Sequence, residues 1–191
     1  MKTKYLIIAF AITALLQISA PLKMIYDSES TERNGVEYKF RTAPIDPSDP
    51  FRGKYITLSF DIDITSVQTN DTTWVRNEPI FVSLAKDSLG FAKIGDVSRE
   101  KPKDNTDYIA TTVGYYYGQD LHINIPFDRF YMEEGKAYDA EVAYRDFNRD
   151  SINTKPTYAL VAVKDGNAVL KNVIIDDMPI KDYVLKERDK K

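Results

Sequence analysis

The sequence predicts a mostly β protein: an antiparallel β-sandwich or barrel-like domain preceded by one N-terminal transmembrane helix. Three observations carry that prediction. Nine or ten short stretches alternate apolar and polar residues, bounded by Gly, Pro, Asn and Asp. No helical pattern of roughly 10–15 residues lies between them, which argues against a parallel α/β sheet. One segment, Tyr5 through Ile25, is apolar except at Thr13, Gln17, Ser19, Pro21 and Lys23.

That segment, as a helix, spans about 31 Å, close to the hydrocarbon thickness of a bilayer. Lys2 and Lys4 precede it and favour a cytoplasmic N-terminus, while Lys23 lies where its stem can snorkel. A cleaved signal peptide would cut after Ala20, but Ile18 is not small and Pro21 would follow the cut. A buried globular helix would not need apolarity on every face. The preferred division is 1–26 as membrane anchor or uncleaved signal, 27–35 as a polar spacer, 36–180 as a β-rich extracytoplasmic domain, and 181–191 as a charged C-terminal tail, either a frayed helix or disordered. The expected location is the cytoplasmic membrane, single-pass, with the C-terminal domain outside the cytoplasm (the periplasm of a diderm).

Within the domain, Val36 to Thr42 alternates as a first strand. Prolines at 44, 47 and 50 then fall every third residue, the period of a polyproline II rod. Arg52-Gly53 allows a turn, and Ile56, Leu58, Phe60, Ile62 and Ile64 alternate as the longest core strand. Thr65 to Pro79, with the sole Trp, reads as a loop. Ile80–Lys86 and Phe91–Val97 form a hairpin through Asp87-Ser-Leu-Gly90. Tyr108–Tyr117 is a strand interrupted at Gly114, which marks a bulge or a close backbone approach. Gly118-Gln-Asp120 turns into Leu121–Ile125. Asp128–Glu134 reads as one helical turn ended by Gly135, and Ala137–Arg145 as a strand with Tyr138, Ala140, Val142 and Tyr144 on one face. Tyr158–Lys164, Asp165-Gly-Asn167 and Ala168–Asp176 make a closing hairpin.

Composition excludes several functions. Among the 191 residues, 26 basic and 29 acidic side chains are interspersed, giving a net charge of -3. No basic stripe follows a phosphate backbone, so nucleic acid is not an expected partner. There is no Cys, which removes disulfides, thiolate nucleophiles and Cys-based metal sites.

The run Asp46-Pro-Ser-Asp-Pro-Phe-Arg-Gly-Lys-Tyr-Ile-Thr-Leu-Ser-Phe60 resembles the signature of the GDYXXLXY family of bacterial proteins. The name motif reads here Gly53-Lys54-Tyr55-Ile56-Thr57-Leu58-Ser59-Phe60, with Lys54 for the Asp and Phe60 for the last Tyr. Arg129-Phe-Tyr-Met-Glu-Glu134-Gly135-Lys136 resembles a second family block. The resemblance implies a membrane-anchored, β-rich extracytoplasmic domain that accompanies a polytopic membrane protein. It carries over no catalytic residue. The reversed charge at Lys54 implies that the position is structural and exposed, or that this member has lost a role.

The motif and interaction positions are therefore Asp46, Asp49, Arg52, Gly53, Tyr55, Leu58, Arg129, Tyr131, Glu134 and Lys136. Asp46, Asp49 and Arg52 read either as a charged recognition patch or, preferably, as local Asx turns with an ion pair. Arg129, Tyr131, Glu134 and Lys136 line a binding edge, or form a turn in which Arg129 and Glu134 pair and Tyr131 packs. Asp146, Asn148 and Asp150 begin a calcium-loop pattern, which fails at Ser151 and Thr157. His122, the only histidine, points away from Leu121 and Ile123 on its strand, and a zinc site built around it would be uncommon. Of Tyr115, Tyr116 and Tyr117, at least one belongs to the core. No metal or cofactor is expected. The leading expectation is a non-enzymatic accessory or binding protein held in the bilayer by its N-terminal helix, partnered by another integral membrane protein. The alternative is a membrane-bound hydrolase using carboxylates or a Ser–Lys pair, for which Ser28 and Ser30 are the serines just past the membrane segment.

Overall fold

The structure, a computed structural model, describes residues 2–43, 55–61, 65–131, 140, 142–144, 147 and 156–188. It is mostly β, with one long apolar helix at the N-terminus. That helix, α1 (Lys2–Asn34), carries Pro21 inside it. The hydroxyls of its apolar part bond within the helix: Thr13 Oγ1 donates to the Ala9 carbonyl and Ser19 Oγ to that of Leu16. The stretch 27–35, read as a spacer, is helical to Asn34. The i, i+4 pairs Lys23–Asp27 and Glu29–Arg33 support these turns. Gly35 closes the helix, its N–H bonded to the Thr31 carbonyl at 2.8 Å. A Cβ there would stand 2.5 Å from that same oxygen and 3.0 Å from the Val163 nitrogen, so the helix-to-strand junction has no room for a side chain.

One five-stranded antiparallel sheet has the order β12 (Met178–Pro179), β11 (Asn167–Ile175), β10 (Tyr158–Lys164), β1 (Val36–Ala43), β3 (Ser59–Phe60). A second has the order β4 (Ser66–Gln68), β8 (Asp120–Ile123), β7 (Tyr108–Tyr117), β5 (Pro79–Lys86), β6 (Ala92–Ser98). A separate pair joins β2 (Tyr55–Thr57) to β9 (Arg129–Tyr131). Parallel bridges Lys39–Phe91 and Ile109–Gly166 tie the two large sheets together.

The core follows the alternation. On β1, Tyr38, Phe40 and Thr42 are buried and stand beside Val161 and Ala159 of β10. Phe40, Phe60 and Phe127 pack in tilted and edge-on pairs, their ring centroids 4.9 to 6.3 Å apart. A second cluster, Ile80, Val82, Val113, Leu121 and Ile123, fills the other large sheet beneath Trp74. Ala162 lies on the opposite face of β10 from Val161 and Val163, yet it is fully buried. The last turns of α1 pack on β10 and β11, with Thr31 buried.

Both hairpins form as their turn residues predict. Asp87 Oδ1 accepts the N–H groups of Leu89 and Phe91, and Gly90 has φ 80°. Asp165 and Gly166 both have positive φ, as a type I′ turn needs. The register of β7 against β8 shifts between Val113 and Tyr115, placing the bulge at Gly114.

Three expectations are corrected. The long strand at 56–64 is split: Tyr55–Thr57 pairs with β9, the Leu58 N–H bonds to the Asp128 carbonyl, and Ser59–Phe60 pairs with β1. Ile62 and Ile64 lie outside the described residues. The helical turn at 128–134 is a strand over Arg129–Tyr131, because β2 supplies its ladder. The strand at 137–145 is helical wherever it is described, at Ala140 and 142–144. Ala140 and Tyr144 are both buried, and an i, i+4 pair fits a helix face as well as a strand face. The charged stretch after Pro179, expected as a frayed helix or a disordered tail, is a helix, α2 (Ile180–Arg188), with Ile180 and Val184 in the core.

Candidate functional site

The two blocks that stand out in the sequence meet in space. Across β2 and β9 the register is Tyr55–Tyr131, Ile56–Phe130 and Thr57–Arg129. Phe130 is buried, with Lys181 Nζ 5.7 Å from its ring centroid. Arg129 and Tyr131 alternate with it and face outward. Tyr131 is 63% exposed. The Arg129 Nε lies 3.9 Å from Asp128 Oδ1. Leu58, the next residue in the chain, is buried in the main core. Asp46, Asp49, Arg52, Gly53, Glu134 and Lys136 lie outside the described residues, as does the calcium-like run apart from Phe147.

A family model described as GDYXXLXY protein matches residues 17–173. The chain belongs to the GDYXXLXY family. No curated protein and no solved structure matches it. The match begins inside α1 and ends in β11, so the family unit includes the later part of the apolar helix, the second large sheet, and the first large sheet apart from β12 and the end of β11. The geometry explains two motif positions of this family member. Its Leu is Leu58, buried where the strand changes partners. Its final aromatic, here Phe60, sits edge-on to Phe127 and Phe40, where a hydroxyl is dispensable.

Three polar constellations were not legible as sites. Lys164 Nζ donates to Ser30 Oγ at 2.8 Å, both half-buried, joining α1 to the outer face of β10. Ser30 lies in the interior of a helix, where its own N–H and that of Thr31 are committed to helical carbonyls. Those groups are thereby removed as oxyanion donors.

Arg99 organises the second constellation. It donates to Asp71 at 2.8 Å and to Glu78, reaches Thr73 Oγ1 at 3.1 Å, and lies 3.9 Å above the Trp74 ring. The Thr73 hydroxyl, then Arg99, hold the Asp71 carboxyl down at about 2. Arg99, then the Val75 N–H, depress Glu78. In the third, Tyr38 donates its hydroxyl to Asp107 at 2.8 Å, and burial, reinforced by that carboxylate, pushes the phenol well above its usual range.

His122 stacks flat on Tyr115, centroids 4.0 Å apart. Tyr115 and Tyr117 are exposed while Tyr116 packs on the second core cluster. Among the described residues no group of three or more His, Cys, Asp or Glu has metal-binding geometry.

Proposed function

We propose that this GDYXXLXY family member is a non-enzymatic accessory module. It is held to the outer face of the bacterial cytoplasmic membrane by α1, uncleaved, and binds another integral membrane protein. The observation that carries the reading is the continuity of α1. An apolar stretch with a mean hydropathy of 2.0, exposed on all sides, runs without a break into turns that pack on β10 and β11. In this reading the anchor runs directly into the domain it holds. The outward face of the β2–β9 ladder, with Arg129 and Tyr131, supplies a tyrosine and an arginine side by side, the residue types enriched at interface anchors.

The test is crosslinking and co-purification of the full chain from membranes. A membrane-protein adduct is expected with the native chain, and its yield should fall with Arg129→Ala and Tyr131→Ala together. Recovery of no partner, combined with turnover of a substrate panel by the protein, would sink the module reading. A reporter fused at Lys191 should be active only outside the cytoplasm.

The Ser30–Lys164 contact supports a second reading, a membrane-bound hydrolase with Ser30 as nucleophile and Lys164 as base. The helical position of Ser30 argues for a structural pin instead. Labelling by a serine-directed phosphonate that disappears in Ser30→Ala would favour the enzyme; absence of labelling in the native chain would favour the pin.

A further inference from the structure

We infer that α1 pairs in the bilayer with α1 of a second copy of this chain, through the face that carries Gln17. The inference rests on the anchor reading. Gln17 lies two residues from the midpoint of Tyr5–Ile25, so it stands about 3 Å from the centre of the span. Its side chain is exposed on the helix and makes no hydrogen bond among the described residues. The neighbouring hydroxyls differ, since Thr13 and Ser19 are satisfied by carbonyls of their own helix.

A second observation falls on the same residue. Pro21 sits inside α1 and has no N–H. The helical acceptor that N–H would have served is the Gln17 carbonyl. Gln17 thus brings an unpartnered amide and an unpartnered main-chain oxygen to one level of the hydrocarbon, where no water can satisfy either. Polar groups at such depth turn toward another protein surface.

The surrounding face suits close approach. At about 100° per residue, Ala9, Thr13, Gln17 and Ala20 fall within roughly 80° of arc, while Ala11, Leu15, Ile18 and Leu22 lie opposite. Small residues on the Gln17 side let two backbones come near enough for side-chain hydrogen bonds.

The occupant is a second copy because the set is closed on itself. Each helix offers one amide nitrogen with two donors, one amide oxygen and one free carbonyl. Two parallel copies insert with the same orientation, so their Gln17 residues stand at equal depth. About a two-fold axis each amide N–H group meets the oxygens of its twin, and every group left open by Pro21 and by the lipid is matched.

The chain has no cysteine, so a crosslinking scan has no background. Single substitutions Ala9→Cys, Thr13→Cys and Ala20→Cys in the full-length protein, oxidised in native membranes, should give disulfide-linked dimers of twice the chain mass. Ala11→Cys, Leu15→Cys and Ile18→Cys should not. Adding Gln17→Leu to Thr13→Cys should lower the linked fraction roughly fivefold, and Gln17→Asn should retain most of it. Equal linking at all positions, no linking at any, or no effect of Gln17→Leu would overturn the pairing. An adduct heavier than a dimer would overturn the second copy in favour of a foreign helix. Alkaline extraction run on the same membranes separates the two claims: retention without dimers removes only the pairing, and release of the protein removes the anchor and the pairing together.

Discussion

Arg99 holds a loop that has no regular structure of its own. Its guanidinium spans Asp71, Thr73 and Glu78 and covers Trp74, the sole tryptophan of the chain. Both carboxyls have folded pKa values below their ordinary ones. Such groups stabilise the fold above the unfolded carboxylate range and lose that contribution as pH falls to the folded value. The loop should therefore release between about pH 4 and pH 2, and Trp74 emission should shift across that window. Arg99→Gln should show the shifted emission at neutral pH and no further acid step in it; an unaltered acid profile would refute the staple. The motif residues divide in the same concrete way. Leu58→Ala empties a core position and should cost about 2–5 kcal/mol in urea unfolding. Tyr131→Ala removes an exposed ring and should stay within about 0.5 kcal/mol of the parent. A large loss at Tyr131 would place it in the fold and not on a contact surface.

The elements with local causes were readable. Asp87 and Gly90, and Asp165 and Gly166, define their hairpins within a few residues, and Gly114 marks its bulge. The β2–β3 run was not, because its alternation continues unbroken while its hydrogen-bond partner changes from β9 to β1 at Leu58. No residue inside the run signals that exchange; Asp128 and Thr42 supply it from elsewhere in the chain. Likewise Ala140 and Tyr144 satisfy period two and period four alike, so their alternation does not tell a helix from a strand; both join the same core cluster as Ile180 and Val184. That the 53–60 and 129–136 blocks would share a ladder was equally illegible, although each block stood out alone. The turn glycines give a graded test. Gly166→Ala combines φ 87° with a Cβ 2.7 Å from the Tyr108 ring, whereas Gly118 has φ 67° in open space. The first should lose about 1–3 kcal/mol by thermal or urea unfolding, and the second less. Equal losses would mean that the close approach at Tyr108 relaxes freely.

At the scale of the whole molecule, the length of the apolar segment predicted a span, but not where the helix would stop. Its final turns are charged, and what holds them is the outer face of β10, far off in sequence. Replacing Lys164 with Leu should free those turns while leaving the sheets intact. Limited trypsin digestion of the native protein should then spare Arg33, and the variant should be cut there. Equal cutting would show that the Ser30 contact contributes nothing to docking. The same architecture sets a timetable. β1 is the first strand made, yet Val36 pairs with Val163 and Arg41 with Tyr158, near the end of the chain. At ordinary synthesis rates its apolar face, Tyr38 and Phe40, waits on the order of ten seconds for its partner strand. Throughout that interval the nascent chain carries an open edge, so completion of its last hairpin, not of its first strand, ends its exposure to aggregation and proteolysis.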